Sequence, residues 1–219
     1  MSMLSHAVTP SRSLAICALL IASHAGAAIS ATSGAFQQIA PPTSAVLGSL
    51  PANPFAFCWT EQTGVTLPNL LVNTVGAGSF GGPAANGPIS INGTFDSHFI
   101  HVDPLANFGN PSGTIWFTSN IVAVIYEGVF LDITDASLGS LGTIYPTGDP
   151  LRSHSAALGP SQYTVVANTI SLNLWAYGSA TWPNRMVQMR VITEAVPAPG
   201  AAALAVLAAA AGRGRARRR

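Results

Sequence analysis

The chain contains no lysine, and its nine basic residues are all arginine. Only 8% of its 219 residues are charged, where about 25% is usual for a soluble domain. Six arginines sit at the ends, as Arg12, Arg213, Arg215, Arg217, Arg218 and Arg219. Arg152, Arg185 and Arg190 remain in the body with all eight acidic residues. A net-negative body without a basic stripe argues against nucleic-acid binding, which needs cations to displace counterions. Cysteine is nearly absent too. Cys17 lies in the apolar leader, so Cys58 has no partner for an intramolecular disulfide once that leader is removed. Within "FAFCW", Cys58 reads as a small buried apolar residue rather than a reactive thiol. Catalytic motifs are missing: there is no G-x-S-x-G elbow, no H-E-x-x-H and no phosphate loop. Ser97-His98 and Ser153-His154 are neighbours in sequence, but triad partners meet in space.

What is present is a run of short apolar segments between turn residues. "VTLPNLLV", "PISINGTF", "SHFIHV", "GTIWFTS", "IVAVIYEGVFLDIT", "SQYTVVA", "TISLNLWAYG" and "MVQMRVIT" are rich in β-branched and aromatic residues. Several alternate. In "TISLNLWAY", Ile170, Leu172, Leu174 and Ala176 share one face. Gly and Pro fall between the runs, and no stretch shows a helical period with caps. These features predict an all-β fold, an antiparallel two-sheet sandwich of jelly-roll or Ig-like type, over residues 54–195. Residues 28–53, rich in Ala, Ser and Pro, read as a linker or a loosely attached first strand.

The start reads as a secretory signal peptide, residues 1–27. Arg12 is the positive region, Ser13 to Ala22 the apolar core, and Ala25 and Ala27 frame a small-residue cleavage site before Ala28. The apolar core is short for a membrane span, which needs about 20 residues. Cys17 follows Ile16 and precedes more apolar residues, which does not suit lipidation.

"FDSHFIHVDP" looks most like a site, since Asp96, His98, His101 and Asp103 are all plausible metal ligands. Strand alternation splits them, with Asp96 and His98 on one face and His101 and Asp103 on the other. Asp103 before Pro104 also suits a turn. Asp132 and Asp135 in "LDITDASLGS" form a second pair, able to hold a structural calcium, or to cap a turn through Asp135. Otherwise no cofactor is indicated. Trp59, Trp116, Trp175 and Trp182 offer a sugar-stacking platform or ordinary sheet packing.

The last segment, residues 196–219, begins Val196, Pro197, Ala198, Pro199, Gly200, continues through an Ala-rich run to Gly212 and ends in arginines. It resembles the PEP-CTERM sorting signal of exported bacterial proteins, with Ala198 in place of the usual Glu. That resemblance implies a sorting helix read by an exosortase-type enzyme, transient membrane association through the tail, and cleavage close to Pro197-Ala198-Pro199. Such tails occur on many unrelated proteins, some associated with ice binding, and specify an address rather than an activity. Residues 55–194 are also similar to a domain found repeatedly in these exported proteins. The similarity rests on "EQTGVTL", "DSHFIHVDP", "GTIWFTSNIVAVI", "LDITDASLG" and "GTIYP". His98 and Asp103 match its pattern, His101 is particular to this chain, and the resemblance implies no activity.

The expectation is an exported, non-enzymatic protein of the cell surface or extracellular matrix, structural or adhesive, with extracellular polysaccharide as a candidate partner. The alternatives are a carbohydrate-binding module and a metal-dependent hydrolase centred on Asp96, His98, His101 and Asp103.

Overall fold

The structure, a computed structural model, describes residues 28–50, 56–81, 88–103, 110–150, 152, 162–174, 177–179 and 182–196. Two sheets carry the fold. The five-stranded sheet runs β1 (Ile29–Thr32), β8 (Ser112–Phe117), β11 (Thr169–Asn173), β10 (Gln162–Val166), β6 (Gly78–Gly81). The seven-stranded sheet runs β2 (Phe36–Gln38), β3 (Ala56–Thr60), β7 (Ile89–Val102), β14 (Val187–Glu194), β9 (Ile121–Ile125), β5 (Thr74–Val75), and β4 (Val65–Val72) also pairs with β7. β12 (Tyr177–Ser179) and β13 (Trp182–Arg185) form a small separate ribbon. Strand pairs are antiparallel except β2 with β3.

The centre of the seven-stranded sheet is buried on both faces. Cys58, Ile100, Val187, Met189 and Val191 pack toward Ile115, Phe117, Ile170 and Leu172 of the five-stranded sheet. The alternate residues Phe57, Trp59, Phe99, Ile125 and Ile192 pack toward Leu131 and Leu138 of a helix, α1 (Gly128–Leu138). Two covered faces explain why Phe95–Val102 and Val187–Thr193 contain no exposed position. Each apolar side chain among them, such as Phe99, Ile100, Val191 or Ile192, contributes about 1.5–3 kcal/mol by leaving water.

Three sequence expectations change. "IVAVIYEGVFLDIT" is not one strand: β9 ends at Ile125 and α1 begins at Gly128. The helix buries Phe130, Leu131, Thr134 and Leu138, a 3.6-residue spacing hidden among β-branched Val129, Ile133 and Thr134. "PISINGTF" and "SHFIHV" are one 14-residue strand, β7, because Gly93 stays in register opposite Leu67. Within residues 28–53, read as a linker or a loosely attached first strand, the described residues 28–50 carry two short strands. β1 joins one sheet and β2 the other, so this segment crosses between the layers.

Gly34 makes that crossing possible. Its φ of +66° is left-handed, and an added Cβ would stand 2.2 Å from the Ser112 carbonyl oxygen. Gly113 opposite is equally tight, with an added Cβ 2.2 Å from the Ser33 oxygen. Ala35 N–H donates to the Ser112 oxygen at 2.9 Å across this contact. Among the described residues, no helix is long and apolar enough to cross a membrane. The signal cleavage pair Ala25 and Ala27, and Pro197 to Gly200 with the rest of the tail, lie outside the described residues; Val196 is described and exposed.

Candidate functional site

Five charged residues of the body, Glu61, Asp132, Asp135, Arg152 and Arg190, converge between α1 and the seven-stranded sheet. Arg190 points from β14 toward the helix, alternating with Met189 and Val191, which face the other sheet. Its guanidinium grips Glu61, just beyond β3, through two bonds: Nε to Oε2 at 2.6 Å and Nη2 to Oε1 at 2.9 Å. Both side chains are fully buried. Nη2 also reaches Asp135 Oδ1 at 3.1 Å, and Nη1 donates to the Thr134 hydroxyl. Arg152 lies alongside. It gives Nη2 to Asp135 Oδ1 at 2.8 Å, Nη1 to Asp132 Oδ1 at 2.6 Å and Nε to Gln188 Oε1 at 2.6 Å. Paired forks of this kind are stronger than neutral hydrogen bonds and fix geometry.

Aromatic rings line the pair. The Arg190 guanidinium carbon is 5.1 Å from the centre of Phe99 and 5.7 Å from Tyr145; that of Arg152 is 5.9 Å and 5.8 Å away. Tyr145 donates its hydroxyl to Glu61 Oε1 at 2.5 Å and accepts from Ser140 N–H at 3.0 Å. Burial, and then the Glu61 charge, hold the Tyr145 hydroxyl well above its ordinary pKa. For Arg190, burial alone favours loss of the proton, but Glu61 and then Asp135 outweigh it and hold the pKa above its usual range. Glu61 receives a fourth bond, from Ser97 Oγ at 2.6 Å. The cluster joins β3, β7, β14, α1 and the loops after it, from residues far apart in sequence.

The expected ligands fall as alternation requires, with Asp96 and His98 opposed to His101 and Asp103. His98 faces the inter-sheet core, its ring centre 4.7 Å from Phe117. Its Nδ1 lies 3.1 Å from Thr60 Oγ1 and its Nε2 3.1 Å from Thr193 Oγ1. Burial lowers its pKa to about 3, so it stands neutral between two threonines. Asp96 is buried and accepts from Gly64 N–H at 2.5 Å. On the other face, His101 Nδ1 meets Gln188 Nε2 at 2.8 Å. Asp103 is buried, accepts from Gly48 N–H and stands 3.7 Å from His101 Nε2.

Asp132 and Asp135 do not flank a turn: both project from α1. Asp135 is no N-cap, since that position is Glu127, which makes no side-chain cap bond. A cation does lie between the two carboxylates, and it is the Arg152 guanidinium. Thr147 Oγ1 and Gly148 N–H complete them at 2.8 and 2.9 Å. Asp132, Asp149 and Arg152 border an open cleft of about 300 Å³ beside the start of α1. Among the described residues, no group of three or more His, Cys, Asp or Glu side chains is placed to hold a metal ion.

Sequence reasoning missed Glu61, Tyr145, Arg152, Gln188 and Arg190 as one constellation. The available signal was scarcity. In a body with so few cations, a retained arginine within an apolar strand such as "VQMRVIT" marks a buried partner. No family model, curated protein or solved structure matches the chain.

Proposed function

We propose that this chain is an exported bacterial protein, sorted by an exosortase-type enzyme to the cell surface or extracellular matrix. There its body, a sandwich of jelly-roll or immunoglobulin-like kind between a cleaved leader and a sorting helix, has a structural or adhesive role and no enzymatic activity. The observation that carries the reading is the pairing of the two ends: a leader with Ala25 and Ala27 before Ala28, and the Val196-to-Gly200 motif followed by an apolar run and arginines. The arginines stay on the cytoplasmic side and hold the tail in the membrane long enough for the enzyme to act.

The body supports a structural role through the way its charges are used. Glu61, Asp135, Arg152 and Arg190 are committed to one another, tying helix to sheet. A lysine-free, charge-poor body fits an environment of neutral polymer, which favours carbohydrate binding as the mode of adhesion. Deleting residues 196–219 tests the sorting step. The truncated chain is expected in the medium and the intact chain at the surface. Identical distribution of the two would remove the sorting proposal.

A further inference from the structure

The five strands β1, β6, β8, β10 and β11 contain no Asp, Glu, Lys, Arg or His. Their inward residues, Ile115, Phe117, Tyr163, Val165, Ile170 and Leu172, fill the inter-sheet core. The outward residues therefore form a face without ionisable groups, and register orders them in rows. Ser79, Thr164, Ser171 and Thr114 stand side by side on four adjacent strands. At a strand spacing of about 4.8 Å, this hydroxyl row is about 14 Å long. Ser79 Oγ is 3.0 Å from Thr164 Oγ1, and Thr114 Oγ1 is 3.1 Å from Ser171 Oγ. Each pair uses one hydroxyl hydrogen internally and keeps another, with free lone pairs, for a ligand.

A parallel row flanks it on each side. Gln162 and Asn173 are exposed register partners and supply amides. The Gln162 stem lies over Gly81, where an added Cβ would stand 2.8 Å from its Cγ. On the other flank, half-buried Trp116 pairs with Thr169 and points away from the core side taken by Ile115 and Phe117.

We infer that this face docks a neutral polysaccharide chain, with Trp116 stacking on a sugar ring and the hydroxyl and amide rows bonding its hydroxyls. Charge selects the occupant. An anionic polymer finds no cation on these strands and a cationic one no carboxylate. An apolar partner would strand the hydroxyl rows without water. A polyhydroxylated neutral chain satisfies both the rows and the indole. The inference rests on the proposal that the protein works in a polysaccharide layer and names the face and ligand class.

The test uses the purified full chain with insoluble cellulose, insoluble chitin, a soluble neutral β-glucan and, as an anionic control, alginate. Retention by at least one neutral polymer, unaffected by added salt, is expected. Trp116→Ala should weaken it by about tenfold or more. Ser171→Arg, at an exposed position that leaves the core untouched, should do the same with an unchanged unfolding midpoint. The idea is overturned if no neutral polymer retains the chain, if alginate alone does, or if both variants bind like the parent. It is also overturned if the face instead drives self-association that Ser171→Arg abolishes. Processing of the termini is unaffected by any of these results, so failure here leaves the export reading standing.

Discussion

Replacing Arg190 by methionine should cost this domain about a fifth or more of its stability. The side chain is wholly buried, and its fork supplies two of the four hydrogen bonds on the equally buried Glu61 carboxylate. Methionine retains most of the stem but leaves that carboxylate with only Ser97 and Tyr145 as donors. Breaking a buried pair from one side costs about 3–5 kcal/mol, against a total of about 5–15 kcal/mol for a typical domain. For a domain of this size that is a fall in Tm of roughly 6–20 °C. Urea unfolding followed by circular dichroism measures it. Arg190→Lys should fall between parent and Met variant, because it keeps charge but loses the two-pronged grip. The double variant Glu61→Gln/Arg190→Met should be less destabilised than the sum of the singles, by about 0.5–3 kcal/mol. A loss below about 1 kcal/mol for Arg190→Met, the size of an exposed pair, would refute the reasoning.

Three further outcomes follow from buried groups and close contacts. The folded-state pKa of His98, about 3, lies below its ordinary value of 6.5, so its contribution to stability is complete above 6.5 and declines as pH falls toward 3. Between pH 6.5 and 5 the parent should lose about 1 kcal/mol per unit more than His98→Gln, and equal slopes in urea titrations would contradict this. The Cys58 thiol, buried and pushed up to about 12 by that burial, should resist a thiol reagent in the native chain and react on unfolding; prompt native labelling would contradict the packing. Gly34→Ala should destabilise by well over the 1–2 kcal/mol of a left-handed alanine alone, because of the Ser112 contact. Gly64→Ala, at φ +68° with open space around it, should cost only about that 1–2 kcal/mol, and equal losses in the two variants would argue against the crossing.

The two-sheet character was legible because period-2 alternation survives wherever one face is dry and the other wet, as in Tyr163, Val165, Ile170 and Leu172. It was less legible in β14, where both faces are dry and periodicity vanishes. The helix was hidden by residues that propensity assigns to strands; it forms because Phe130, Leu131, Thr134 and Leu138 find a sheet to cover. Alternation correctly separated His98 from His101 but could not supply their partners. Glu61 and Arg190 are 129 positions apart, a distance over which local pattern carries no information. What did show in the sequence was the rarity of charge, and the structure turns that rarity into a division. Among the described residues, the arginine–carboxylate pairs gather around α1 and the seven-stranded sheet, while the five strands of the other sheet contain no Asp, Glu, Lys, Arg or His.

The proposed address can be read directly from the ends of the exported molecule. Intact-mass measurement of protein recovered from the surface of producing cells should give a chain that begins at Ala28 and ends near Pro197-Ala198-Pro199, without the arginine tail. A recovered chain that still carries Arg219 would contradict sorting, and one that still begins at Met1 would contradict export through a cleaved leader.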